Sequence, residues 1–250
     1  MGQMAGRTAL ITGASSGFGA HFARLFVAQG ANVVIGARRL DRVAALADEL
    51  GDKALAVAMD VTDEASIIAA YDAAEARFGT VDTVIANAGI AKAGRSTDLS
   101  VGDIAAVVET NFTGLYLTAR EGAKRMIAAG FRESERGRIV LLGSITAELT
   151  GNGETAYAAI KAGVAHLGRQ FAREWVRQGI NVNTIQPGYI DTEIQGDWFE
   201  TPAGQAHVNS FHRRRLTPIE ALDSPLLFFA SDASRCVTGS TLTVDDGQVL

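Results

Sequence analysis

The chain has 250 residues, with 23 Lys and Arg against 28 Asp and Glu, and so carries a net charge of −5. Apolar residues make up 47% and charged residues 20%. That composition is globular and argues against disorder, and the mild acidity is a poor match to general nucleic-acid binding.

Other counts narrow the class further. The 27 glycines and only 4 prolines suggest close backbone approaches rather than a linker. Cys236 is the one cysteine, which excludes an intrachain disulfide and fits a reducing compartment. It is expected to be a small buried residue and not a nucleophile. Met1–Arg7 lacks the basic-then-apolar order of a signal peptide, and no apolar run approaches the roughly 20 residues of a membrane span. A soluble cytoplasmic protein with no membrane partner is expected.

Thr8–Thr12 reads as a buried strand, and His21–Gln29 has helical spacing with Phe22, Leu25 and Phe26 on one face. Asn32–Ala37 is a second strand, Leu40–Leu50 a helix, and Ala54–Met59 a third strand. Thr62 is placed to cap a helix that runs to Phe78, and Val81–Ala86 is a fourth strand. The second half is expected to hold a helix over about Val101–Ala129, a strand over Arg138–Leu142, a helix over Ala156–Gln178 and a strand over Asn181–Ile185. A looser stretch from Tyr189 to about Leu216 precedes a helix near Ile219–Ala230 and a last strand, Thr241–Val244. Continuous apolar strands alternating with amphipathic helices predict a doubly wound α/β fold. Its parallel sheet would be covered on both faces, with residues 1–250 forming one domain.

The first strand runs into Gly13-Ala14-Ser15-Ser16-Gly17-Phe18-Gly19. The spacing is G-x-x-x-G-x-G, unlike the G-x-G-x-x-G fingerprint, yet it meets the same need. A pyrophosphate requires a tight turn, a bare backbone and helix N–H groups aimed at it. The second strand ends Gly36-Ala37-Arg38-Arg39, with no acid before Asp41. An acid there would bind the 2′-hydroxyl of NAD, whereas guanidiniums pair with the 2′-phosphate of NADP. NADP(H) is therefore the expected cofactor, with Arg38 the more direct contact. Asp60-Val61 ends the third strand, either at the adenine edge or as a turn cap. Asn87-Ala88-Gly89 ends the fourth, where small residues let the backbone approach a ribose.

Tyr157 and Lys161 lie four residues apart on a helix and share one face. A phenol has a pKa of about 10, and a nearby ammonium is expected to lower it toward useful acid–base chemistry. Ser144 follows the fifth strand, 13 residues before Tyr157, and offers a hydroxyl to a substrate carbonyl.

With these motifs in view, the chain resembles the short, single-domain members of the short-chain dehydrogenase/reductase family. The elements that carry the likeness are Thr12–Gly19, Asp60-Val61, Asn87-Ala88-Gly89, Asn111, Ser144, Tyr157, Lys161 and Pro187-Gly188 with Thr192. The resemblance implies an oxidoreductase acting on a small-molecule ketone or secondary alcohol. Tyr157 would be general acid and base, Lys161 the ribose ligand, Ser144 the carbonyl holder and Asn111 the holder of a relay water. Pro187, Gly188, Ile190 and Thr192 would line the nicotinamide end. Glu148, Leu149, Asn152, Glu154, Tyr189 and Trp198 would line the substrate pocket, with residues 193–215 covering it. A homotetramer is implied as well.

Alternatives stay open at this point. A 3-oxoacyl-thioester reductase is one; a sugar or steroid dehydrogenase and a non-catalytic NADP-binding protein are others. Ala86, Ser16 and Asp246 depart from the usual family pattern. The basic run His212–Arg215 reads as solvated or subunit-facing, or as a contact for an anionic substrate. His21, His166, His207 and His212 show no metal-ligand spacing, so no metal site is expected.

Overall fold

The computed structural model describes residues 2–151 and 153–250. Its strands are β1 (Thr8–Thr12), β2 (Asn32–Ala37), β3 (Ala54–Ala58), β4 (Thr83–Ala86), β5 (Gly137–Leu142), β6 (Ile180–Pro187) and β7 (Thr241–Val244). They pair in parallel in the order β3-β2-β1-β4-β5-β6-β7. Successive side chains of a strand alternate between faces. Leu10, Val34 and Val84 therefore enter one core, and Ala9, Ile11, Val33, Ile35 and Ile85 enter the other.

The first core is covered by α3 (Glu64–Phe78), α5 (Leu115–Ala128) and α7 (Thr155–Trp175). The second is covered by α1 (Gly17–Ala28), α2 (Leu40–Leu50) and α9 (Asp223–Ala230). Two buried faces explain why the strands read as unbroken apolar runs. The fold is thus the expected doubly wound α/β sandwich.

Local differences have physical causes. The single helix expected over Val101–Ala129 is α4 (Val101–Val108) joined to α5 through a π turn at Glu109–Gly114. Asp63, not Thr62, caps α3, accepting from the Ala65 N–H at 3.0 Å. The loose stretch after Tyr189 contains a short turn at Gly196–Glu200 and helix α8 (Pro202–Ser210). That helix is fixed by Thr201, which accepts from the Gly204 N–H, and by Pro202 at its first position. A one-turn helix, α6 (Phe131–Ser134), lies between α5 and β5. Cys236 is exposed, contrary to expectation. Asn181 anchors the backbone before it through the carbonyls of Ser234 and Arg235, and the cysteine side chain is left outside.

Charge is buried at the amino-terminal edge of the sheet. Parallel register sets the residues before β1 and β4 beside the start of β5. Arg7, 2% exposed, meets Asp82 at 3.3 Å, and Arg136 meets the same carboxylate at 3.0 Å. Asp232 pairs with both Arg7 and Arg138. Burial and the charge of Arg7 push Arg138 down to about 10, so it stays charged at neutrality. Removing Asp82, the buried anion, leaves the Arg7 guanidinium without its buried counter-charge. Asp82→Ala should therefore cost about 3 kcal/mol, read from the urea midpoint, with cofactor affinity unchanged because the site lies at the opposite edge.

Candidate active site

Parallel strands bring all their carboxyl ends to one edge. There the strand order reverses between β1 and β4, which opens a crevice where such sheets take ligands. Thr12 and Asn87 join the two strand ends. The Thr12 hydroxyl accepts from the Asn87 and Ala88 N–H groups at 3.0 Å each, and the Asn87 amide donates to the Thr12 carbonyl at 2.8 Å.

Gly13 turns the chain here with φ +68°. A Cβ on it would lie 2.8 Å from the Ala88 Cα. On Gly19 a Cβ would lie 2.5 Å from the Gly13 carbonyl oxygen. Gly17 also has positive φ, +51°. Ser16 sits at the N-cap of α1 but makes no side-chain cap bond, so the first N–H groups of Gly17, Phe18 and Gly19 have no hydroxyl cap. A bare turn ahead of a twelve-residue helix with no hydroxyl cap fits a pyrophosphate.

At the end of β2 the two arginines differ. Arg38 is exposed, and its charge helps lower the Asp60 pKa. Arg39 folds back onto the glycine turn, donating to the Ser15 hydroxyl at 2.9 Å and the Ser16 hydroxyl at 2.8 Å. Asp60 caps its own turn, accepting from the Thr62 N–H and hydroxyl at 3.0 and 2.8 Å. Val61 is buried against Gly114, on which a Cβ would be 2.7 Å from Val61. Gly89 faces Asn111, 3.3 Å from where its Cβ would stand.

Ser144, Tyr157 and Lys161 lie beyond β5 and on α7. The Ser144 oxygen accepts from the Thr146 N–H at 3.2 Å and the Thr146 hydroxyl at 2.9 Å. Both of its lone pairs are taken, so its own O–H is left to donate. Lys161 is 4% exposed; its ammonium donates to the Leu142 carbonyl at 2.7 Å and lies 5.4 Å from the centre of the Tyr157 ring. The expected lowering of the Tyr157 pKa is not produced by the chain's own groups. Desolvation raises it, Glu154 and Tyr189 add to the rise, and the Ser144 hydroxyl opposes it.

Asn111 is fully buried inside the π turn. Its amide bonds Ile90, accepting from the N–H at 2.8 Å and donating to the carbonyl at 2.7 Å. These two bonds fix the amide's orientation and use one of its two N–H donors and one of its two acceptor sites.

Pro187 ends β6, and the Gly188 N–H donates to the Val244 carbonyl at 2.9 Å. The Tyr189 backbone is clamped by Gln248, its N–H donating to the Gln248 amide oxygen at 2.6 Å. Ile190 is buried, and Thr192 bonds Gln195 at 2.6 Å. A cavity of about 240 Å³ opens beside Ala158, the neighbour of Tyr157; Leu149, Glu154, Tyr189, His207, Phe211 and Gln248 are in its wall. Burial raises the Glu154 carboxyl and pushes the Tyr189 phenol up to about 12.

Three of the expected pocket residues therefore line this cavity. Glu148 does not; it ends a short turn and is exposed. Trp198 packs behind the wall on His207, ring centres 5.4 Å apart. Asn152 lies outside the described residues. The sequence reading missed His207, Thr146 and Gln248. Thr146 had a usable signal, two residues after Ser144, whereas Gln248 needs the fold to reach Tyr189 from the last strand. Arg213 and Arg215 both pair with Asp246, at 3.2 and 2.7 Å, which supports Asp246 in its positive φ of 55°.

Burial lowers Lys161 to about 8. The folded value lies below the unfolded one, so the unfolded chain binds more protons between the two. The buried ammonium costs stability in full below about pH 8, and the cost fades as pH rises toward the ordinary lysine range. The melting-temperature difference between Lys161→Met and the parent should therefore shift in the parent's favour from about pH 7 to about pH 10. A constant difference would contradict the buried charge.

Residues 7–203 match the family profile described as short chain dehydrogenase. The cis-4-hydroxycyclohexanecarboxylate dehydrogenase of Sinomonas cyclohexanicum is 40% identical over 250 residues, covering 96% of each chain. A gluconate 5-dehydrogenase from Burkholderia cenocepacia J2315, in complex with NADP and tartrate, superposes with a TM-score of 0.92 at 32% identity, covering 99% of this chain and 97% of that one. A 3-ketoacyl-(acyl-carrier-protein) reductase from Brucella melitensis, complexed with NADH, gives 0.90 at 30% identity, covering 99% and 100%. The profile match and these full-length likenesses agree with the glycine turn and the Ser144, Tyr157, Lys161 group: the chain belongs to the short-chain dehydrogenase/reductase family.

Proposed function

We propose that the protein is an NADP(H)-dependent oxidoreductase that interconverts a ketone and a secondary alcohol, with Tyr157 as general acid and base. The observation that carries this reading is the convergence of Ser144, Tyr157 and Lys161 beside the glycine turn at one sheet edge. The backbone of Gly13, Gly17, Phe18 and Gly19 would hold the pyrophosphate, with Ser15 and Ser16 beside it. Arg38 and Arg39 would hold the 2′-phosphate, and Asp60-Val61 would lie at the adenine. Asn87-Ala88-Gly89 and Lys161 would hold riboses, and Pro187, Gly188, Ile190 and Thr192 the nicotinamide end. A bound dihydronicotinamide supplies the hydride that reaches the carbonyl carbon.

The chain's own groups handle the oxygen. The Ser144 O–H, which acts on the Tyr157 phenol, would turn to the carbonyl oxygen and fix its position. Tyr157, its phenol raised by burial, is fully protonated at neutral pH and gives its proton to the same oxygen as the alcohol forms. Lys161 has three N–H donors and spends one on Leu142, which leaves others for the ribose and for handing on a proton. A water in that relay would be held at Asn111, whose amide the two bonds to Ile90 hold in place.

The small cavity, with Glu154 and Tyr189 among aromatic rings, favours a compact ketone of mixed polarity. Arg213 and Arg215 pair with Asp246, and the thioesters in the panel below test whether they also receive an anionic acyl carrier. A cytoplasmic homotetramer belongs to the same reading. It is supported by exposed apolar side chains along α4 and α5, among them Val101, Ile104, Val108 and Tyr116. Among the described residues no helix is long and apolar enough to cross a membrane.

The test is a panel of ketones and 3-oxoacyl thioesters assayed with NADPH and NADH. Tyr157→Phe should lower kcat about 10²- to 10⁴-fold with cofactor affinity kept; retained turnover would end the catalytic assignment. Arg38→Asp should weaken NADPH about tenfold or more while NADH changes little, measured by fluorescence titration. Equal loss for both would remove the NADP preference.

A further inference from the structure

Glu193 follows Thr192 and opens the segment expected to cover the substrate. Its carboxylate is not in that segment's own company. It reaches Arg39 at 2.7 and 3.1 Å and Arg42 at 2.7 Å. These arginines stand 154 and 151 residues earlier in the chain, at the start of α2. The contact therefore spans from the β2 end of the crevice to the segment after β6. Arg39 is at the same time held by the Ser15 and Ser16 hydroxyls. Arg39, Ser16 and Arg42 together hold the Glu193 carboxyl well below the usual carboxylate range.

Two guanidiniums and a serine hydroxyl gathered on one anion form the donor set that a phosphate monoester takes. A carboxylate carries one negative charge, and a phosphate monoester roughly −1.5 to −2 at neutral pH. The same donors cannot serve both anions fully. The phosphate wins the exchange on charge, whereas a ribose hydroxyl has nothing with which to displace a carboxylate.

We propose that Glu193 is an internal competitor for the cofactor's 2′-phosphate: it latches Arg39 and Arg42 across the crevice, and a 2′-phosphate must break that latch to bind. The inference rests on reading Arg38 and Arg39 as the 2′-phosphate's partners. It makes Glu193 a specificity-determining residue that lowers NADP(H) affinity selectively. It also ties the start of the substrate-covering segment to the identity of the cofactor. NADP(H) releases that end of the segment, and NAD(H) binds with the latch shut.

Dissociation constants for NADPH and NADH, from fluorescence titrations of the parent, Glu193→Gln and Glu193→Ala, test it. All three contacting side chains are about half exposed, so neither variant endangers folding, and thermal melts check this. Each variant should tighten NADPH roughly three- to tenfold, the scale of two exposed ion pairs. NADH should change less than about twofold, because no phosphate contends for the arginines. Unchanged or weakened NADPH binding, or equal tightening of both cofactors, overturns the latch. Arg38→Asp separates the two failures. A selective NADPH loss in that variant beside silent Glu193 variants overturns the latch alone, and an unselective loss overturns the NADP reading beneath it.

Discussion

Everything at the site depends on the join between Thr12 and Asn87. One threonine hydroxyl accepts two backbone N–H groups, and one asparagine amide returns a bond to the threonine carbonyl. This small exchange sets the gap between β1 and β4 where the sheet changes direction. The glycine turn leaves from one side of the join and the Ala88-Gly89 backbone from the other. A Cβ at Gly13 or Gly19 would lie 3.1 or 2.9 Å from the Asn87 amide nitrogen, so the join also sets how closely the glycine turn packs. Asn111, clamped on Ile90, fixes the next turn along.

The electrostatics of the site are set mainly by burial. Lys161 and Tyr157 both sit where water is scarce, and each is pushed toward its neutral form. The ammonium donates to the Leu142 carbonyl and stands 5.4 Å from the centre of the Tyr157 ring, and burial outweighs what lowers the phenol. Ser144 is the one neighbour that pulls the phenol down. It is free to do so because Thr146 supplies both bonds that the serine oxygen accepts.

Much of this was legible in the sequence, for physical reasons. Buried parallel strands must be apolar on both faces, so TALIT and NVVIGA announce themselves. A helix places Tyr157 and Lys161 on one face at four-residue spacing whatever surrounds them. What escaped was set by contacts distant in sequence. The π turn depends on Asn111 finding Ile90, and the exposure of Cys236 on Asn181 gripping the chain before it. The clamp of Gln248 on Tyr189 crosses 59 residues. Asp60 was ambiguous between a cofactor and its own turn, and the geometry supplies the turn bonds. The basic run was ambiguous as well, and Asp246 takes two of its arginines.

The ion cluster of Arg7, Asp82, Arg136, Arg138 and Asp232, buried at Arg7, Asp82 and Arg138 and open to solvent at the other two, has a wider consequence. It lies at the opposite end of the strands from the glycine turn, so anchoring and chemistry occupy separate ends of one scaffold. Distant, unconnected sites contribute nearly independently to free energy. The crevice end is therefore open to divergence: residues around the cavity and after Thr192 can change without loosening the charged foot on which the sheet stands. An engineer can likewise redesign substrate choice at one end while using the other as a reserve of stability.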